Sequence, residues 1–221
     1  QGVGQRFRAT LQFALSGSLI FAAQRLAREF FDAMVEVERS FADIGSALEF
    51  DVGAVRGTRE FEVELEGVRR RVIELANEYN VLPSEANAAA YQMVSRFSDV
   101  DAAMIATEAQ LLATKIATID QSEALRALTA VAESYGQTLD DSLDAQERQI
   151  ATARLYMQVL DGAVVLQQQY GIAVEDTIEG SAALAELFAA QGFSLAQTQA
   201  ALALVIQRTG VTGSTAADRL G

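Results

Sequence analysis

The sequence predicts an all-α protein, with one long N-terminal amphipathic helix followed by a compact multi-helix bundle of short helical hairpins. Three observations carry this expectation. Pro83 is the only proline in 221 residues, while Ala and Leu recur throughout, a composition that favours helix and leaves few hairpin signals. Apolar residues recur every seventh position through the first fifty. Beyond that point, glycines and capping residues punctuate the chain at helix-length intervals. The expected division is therefore residues 1–50, a long helix, and residues 51–221, a helical core domain.

The first helix is expected over roughly residues 5–50. One row of its repeat is Phe13, Ile20, Ala27, Met34, Phe41 and Leu48, and the companion row is Ser16, Ala23, Phe30, Val37 and Ile44. An a/d seam sustained over several heptads is the pattern of a coiled coil, and such a helix would be ~65 Å long. Two readings stand side by side: an oligomerisation seam that makes the protein a homo-oligomer, or a helix packed on its own domain. Leu19, Phe21, Leu26, Phe31 and Val35 widen the stripe, so more than two neighbours are expected around it. The most apolar stretch, Thr10 to Ala23, is shorter than the about 20 residues that cross a bilayer. Arg6 and Arg8 before it also match the opening of a signal peptide, although the helical pattern continues through Arg25.

The Gly-containing stretch 51–58 is read as a loop. A helix is expected from about 60 to 80, although Glu60, Glu62, Glu64 and Glu66 alternate with Phe61, Val63 and Leu65, so a short strand is the alternative there. Asn80 and Pro83 predict a sharp stop and restart, since Asn tolerates the left-handed cap and Pro suits a first helical turn. Further helices are expected from Pro83 to about 97, 100–117, 121–136, 139–160, 163–169, 176–190 and 195–208, with one more beginning near Thr212. Asp99 is a candidate cap, and Asp120–Glu123 and Ser194–Gln197 have capping-box spacing. The turn positions are Pro83, Gly136, Gly171, Gly192, Gly210 and Gly213. Gly136, Gly171 and Gly192 share a layout. Each is followed three residues later by an apolar residue (Leu139, Val174, Leu195), then three further on by a hydroxyl (Ser142, Thr177, Thr198). A helix-ending Gly, a residue turning into the core and an immediate new helix explain that layout.

Composition narrows the chemistry. The chain has no Cys and no His, which removes the common nucleophile–base pairs and zinc sites. Its net charge of −13 argues against specific nucleic-acid binding, which needs a basic face. The four arginines among residues 1–28, a stretch that holds no Asp or Glu, could meet an acidic partner or a membrane surface, or simply form a solvated helix end. Asp140, Asp141, Asp144 and Glu147 cluster, as do Glu175, Asp176 and Glu179. Both groups sit at expected helix starts, where negative charge offsets the helix dipole, so a structural role is expected over a catalytic one. Arg69, Arg70 and Arg71 are expected to pair with Glu66 or Glu74. No enzyme activity, cofactor or metal is implied. The chain opens on Gln1 and closes on Gly221 just after a helix start, as expected of a piece of a longer protein.

The block Tyr170-Gly-Ile-Ala-Val-Glu-Asp-Thr177, the segment Ala182 to Gly192, and Phe193-Ser-Leu-Ala-Gln-Thr198 together resemble the core region of phage tail tape measure proteins. So does the ending Thr209 to Leu220. Upstream, Phe41-Ala-Asp-Ile44 is similar to the family's lead-in, and Leu75 to Ala86 to its helix–loop–helix entry. The resemblance covers roughly residues 30–221 and rests on the order of these blocks. Ser95-Arg-Phe97, where the family commonly has a Gly, and the 53–57 loop with the charged stretch 60–71 after it depart from the pattern. The resemblance implies a virion protein of the tail lumen, assembled in the host cytoplasm, that takes part in tail assembly, tail length determination and genome delivery. Tail tube subunits, tail-tip or baseplate proteins and assembly chaperones are the implied partners, with host membrane contact during delivery. The alternative is a membrane-active helical protein that forms or inserts a channel through residues 10–23.

Overall fold

A computed structural model describes residues 43–44, 59–117 and 119–221. Eight helices run in order through the described residues from 59 onward: α1 (Arg59–Glu78), α2 (Pro83–Val94), α3 (Val100–Ile116), α4 (Gln121–Gly136), α5 (Ala145–Tyr170), α6 (Val174–Ala190), α7 (Leu195–Thr209) and α8 (Gly213–Leu220). The seam positions Phe13, Ile20, Ala27, Phe30, Met34, Val37, Phe41 and Leu48 lie outside the described residues, as do the apolar stretch 10–23 and the loop 51–58. Ile44 is described: it is helical, fully buried, and part of the chain's own main apolar cluster.

Segment 60–66 is helical within α1, and the strand alternative falls. The deciding signal lies downstream, where Val68, Val72, Leu75 and Ala76 are buried at the four-, three- and one-residue steps of a helical stripe. Val63 is 67% exposed whereas Leu65 is half-buried against the main cluster, so the two do not share one face as a strand would place them. The following turn is built as expected. Asn80 has φ 49°, Pro83 opens α2, and the Glu85 carboxylate reaches back to accept from the Leu82 N–H at 3.2 Å. That helix ends at Val94, short of the expected 97.

The caps of α3 and α7 form as read. Asp99 accepts from the Ala102 N–H at 2.8 Å, and Ser194 and Gln197 satisfy each other's backbone N–H groups reciprocally. Asp120 accepts from the Glu123 N–H at 2.8 Å. Gly171, Gly192 and Gly210 have φ of 68°, 81° and 65°, a region where a Cβ is strained.

Two expectations are corrected. The pair of helices expected at 139–160 and 163–169 is one 26-residue helix, α5, starting only at Ala145. Residues 137–144 instead form turns, with Asp140 accepting from the Ser142 N–H at 2.9 Å. Asp144 and Glu147 then supply a reciprocal capping box. The Gly136 layout therefore differs from its two counterparts. Val174, Leu195, Thr177 and Thr198 are buried at their helix starts, whereas Leu139 is half-buried and Ser142 exposed. Gly136 itself is the last residue of α4 and is not among the positive-φ glycines. Its smallness serves packing, since a Cβ there would lie 3.3 Å from Thr152 Oγ1 of α5. Gly213 stands at the helix start expected near Thr212. It is the first residue of α8 and is buried.

The main apolar cluster draws on α1 to α6 and the start of α7, and much of it is alanine. Ala86, Ala89, Ala90, Ala102, Ala103, Ala106 and Ala109 are fully buried, which lets α2 and α3 approach closely. A second cluster gathers Leu166, Ile172, Leu184, Phe188, Leu202, Ile206 and Ala216 from the end of α5 to α8. Helix α6 joins the two. Ile178 and Ala185 face the first cluster, and Leu184 and Phe188 the second. Helix α5 packs against α3, α4, α6 and α7. At ~1.5 Å per residue it is about 39 Å long, the longest element among the described residues.

Candidate functional site

Several buried polar groups are interhelical ties. Gln199 of α7 donates to the Val159 carbonyl of α5 at 3.0 Å, entering a space that exists because residue 162 has no Cβ. Tyr135 of α4 shares a hydrogen bond with Thr198 of α7, and Thr129 with Tyr156 at 3.1 Å. Burial pushes both the Tyr135 and Tyr156 hydroxyls above the usual phenol value, while their threonine partners pull the other way. The α2–α3 turn is tied to the start of α5. Gln149 accepts from the Asp99 N–H at 2.9 Å and donates to Ser98 at 2.7 Å, and Gln146 donates to Asp99 at 2.7 Å.

Clefts open between helices, and two of them exceed in volume the one of about 270 Å³ beside Lys115. One, of about 610 Å³, lies between α1, α3 and α5; Val68, Met104, Ile105 and Ile150 line it, with Arg71, Glu108 and Arg154. Arg71 meets Glu108 at 3.0 Å and Glu74 at 3.6 Å. The expected Glu74 pair is thus present, joined by a shorter interhelical one that spacing along one helix could not reveal. Tyr79 also donates to Glu108 at 3.1 Å. Burial, followed by the Glu108 charge, pushes its hydroxyl up to about 12. The other cleft, of about 540 Å³, lies between the end of α2, α4 and the start of α5, with Phe97, Ala132 and Tyr156 at its base and Arg96, Glu133 and Arg148 among its polar walls.

The acidic residues singled out in the sequence are used by the backbone. Asp140, Asp144 and Glu147 build the turn and cap before α5, and the Ser142 hydrogen bonds hold the Asp140 carboxyl below its ordinary value. Asp176 accepts from the Gly213 N–H at 2.7 Å. Glu179 is raised, first by burial and then by the charges of Glu123, Asp176 and Glu175. Among the described residues, no group of three acids is arranged to hold a metal ion, and no helix is long and apolar enough to cross a membrane. The turn residues Pro83, Gly136, Gly171, Gly192, Gly210 and Gly213 are distributed among separate helix junctions and form no common site. Neither cleft is legible in the sequence, because each gathers residues from three separate segments.

Comparison with family models, with curated proteins and with solved structures finds no match for this chain.

Proposed function

We propose that this chain is part of the core region of a tail tape measure protein from a phage or phage-like particle, acting as a non-enzymatic helical scaffold in tail assembly, length determination and genome delivery. One observation carries the reading. The stretch with the strongest resemblance, residues 170–220, is an unbroken succession of short helices, separated by Gly171, Gly192 and the Gly210–Gly213 turn. Apart from the Asp176–Gly213 bond, its ties are apolar contacts and uncharged hydrogen bonds, chemistry suited to holding shape.

The helices fold back on one another, whereas a ruler must extend at ~1.5 Å per residue. A terminal or docking domain of the tape measure is therefore the proposed role. Its partners would be tail tube subunits, tail-tip or baseplate proteins, assembly chaperones and further copies of itself.

The test is mass spectrometry and antibody labelling of purified tails from the particle that encodes the parent protein. Peptides of residues 59–221 are expected in intact tails, with label confined to one end of the tube. Tails that lack these peptides would reject the reading. Label spread along the tube would reject the terminal-domain role.

A further inference from the structure

We propose that the cleft between the end of α2, α4 and the start of α5 binds a small organic carboxylate carried on an aryl body. Its volume of about 540 Å³ lies within the range of small-molecule sites. The base is aromatic: the Phe97 and Tyr156 rings meet edge-to-face with centroids 6.1 Å apart, and both side chains are buried, as is Ala132. Ala132 and Ala145 line it with methyl groups alone, and larger side chains there would fill it.

The walls are set before any ligand arrives. Gln149 has its carbonyl on the Asp99 N–H and its amide on Ser98, and Thr152 donates to the Arg148 carbonyl at 2.8 Å. Neither side chain must reorganise to admit a guest.

The charge at the mouth selects the guest. Arg96 and Arg148 line the cleft against one carboxylate, Glu133. Glu133 is bound to Arg96 at 2.7 Å, and Arg96 also faces the Tyr156 hydroxyl. Arg148 is less committed. Its Nη2 donates to the Asp140 carbonyl at 3.2 Å, and its nearest acid, Asp141, is 3.7 Å away and fully exposed. A guanidinium offers five N–H donors in a planar fork, so Arg148 retains donors for an incoming carboxylate while the aryl body covers the aromatic base. Each arginine already faces one acid, Arg96 with Glu133 at 2.7 Å and Arg148 with Asp141 at 3.7 Å, so the open donors of Arg148, rather than a surplus of charge, are what an anion fits.

The test is calorimetric titration of the full chain with naphthalene-2-carboxylate, alongside its neutral carboxamide. Saturable one-to-one binding is expected, with the carboxamide about tenfold weaker, in line with a charge-assisted hydrogen bond. R148Q and A145L should each weaken the carboxylate about tenfold, the first by removing the charge and the second by filling the mouth. Ala145 is exposed at a helix start and Arg148 is a third exposed, so both variants should keep the parent's thermal midpoint, which circular dichroism checks. Absence of saturation up to about 5 mM, equal binding of the carboxamide, or unchanged affinity in both variants would overturn the proposal.

Discussion

The Asp176 carboxylate, in the first turn of α6, accepts from the backbone N–H of Gly213, the first residue of α8, at 2.7 Å. The two backbones are close enough that a Cβ on residue 213 would lie 1.8 Å from the Asp176 carbonyl oxygen. One side chain thus satisfies an otherwise open helix N–H and sets where α8 docks. Gly213→Ala should therefore cost about 2–3 kcal/mol, because backbone must move. Asp176→Ala should cost about 1–2 kcal/mol through the lost charged hydrogen bond. Urea unfolding of both variants checks the order. A Gly213→Ala protein as stable as the parent would contradict the contact.

The glycine of α5 makes a contrasting case. A Cβ on residue 162 would meet the Gln199 carboxamide oxygen at 1.9 Å, the far end of a flexible side chain. Gly162→Ala should lose the Gln199–Val159 bond but gain about 1 kcal/mol of helix propensity. The net change is then within about 1 kcal/mol, well below that of Gly213→Ala. In the Gln199→Ala background, Gly162→Ala should become stabilising. Non-additivity in that double-mutant cycle is the readout.

Helix α6 starts at an uncapped position. Ala173 has extended backbone geometry and no side-chain cap. Ala173→Ser should add about 0.5–1 kcal/mol, whereas Ser194→Ala at the start of α7 should remove about 1 kcal/mol. Thermal midpoints moving in opposite directions would verify both.

Glu179 supplies a pH signature. Its folded-state value lies above the ordinary 4.5, through burial first and neighbouring acids second. The native state thus holds the proton more tightly than the unfolded chain, and stability falls as pH rises through the window above 4.5. Glu179→Gln should be more stable than the parent at neutral pH, and the advantage should vanish below the ordinary value. Asp120 and Asp140 act with opposite sign. Hydrogen bonds lower both from 3.8, so their contribution is present above 3.8 and disappears as pH falls below it. Denaturant midpoints across pH, with and without the Gln substitution, separate the two.

Much of the helix order is legible in the chain because the signals are local. Asn80 with Pro83, Asp99, Asp120 and Ser194 each act on backbone groups within three residues. Gly171, Gly192 and Gly210 stop helices through their own φ angles. Gly136, Gly162 and Gly213 carry the same letter with another purpose. Each makes room for a group remote in sequence, namely Thr152, Gln199 or the Asp176 backbone. Nothing within a few residues of these glycines distinguishes the two uses. That is why the break expected near residue 162 is a continuous helix.

The candidate cleft belongs to the second category. Arg96, Ala132 and Arg148 lie in the turn after α2, on α4 and on α5, and no spacing rule connects them. All-α class, helix order and most caps are properties of local backbone preference and of one apolar stripe at a time, so the sequence alone determines them. Which glycines are breaks and which are close approaches, how far α5 runs, and where cationic and aromatic side chains converge were decided only by tertiary packing. Those outcomes depend on volumes and partners contributed by distant segments, which meet only once the helices have docked.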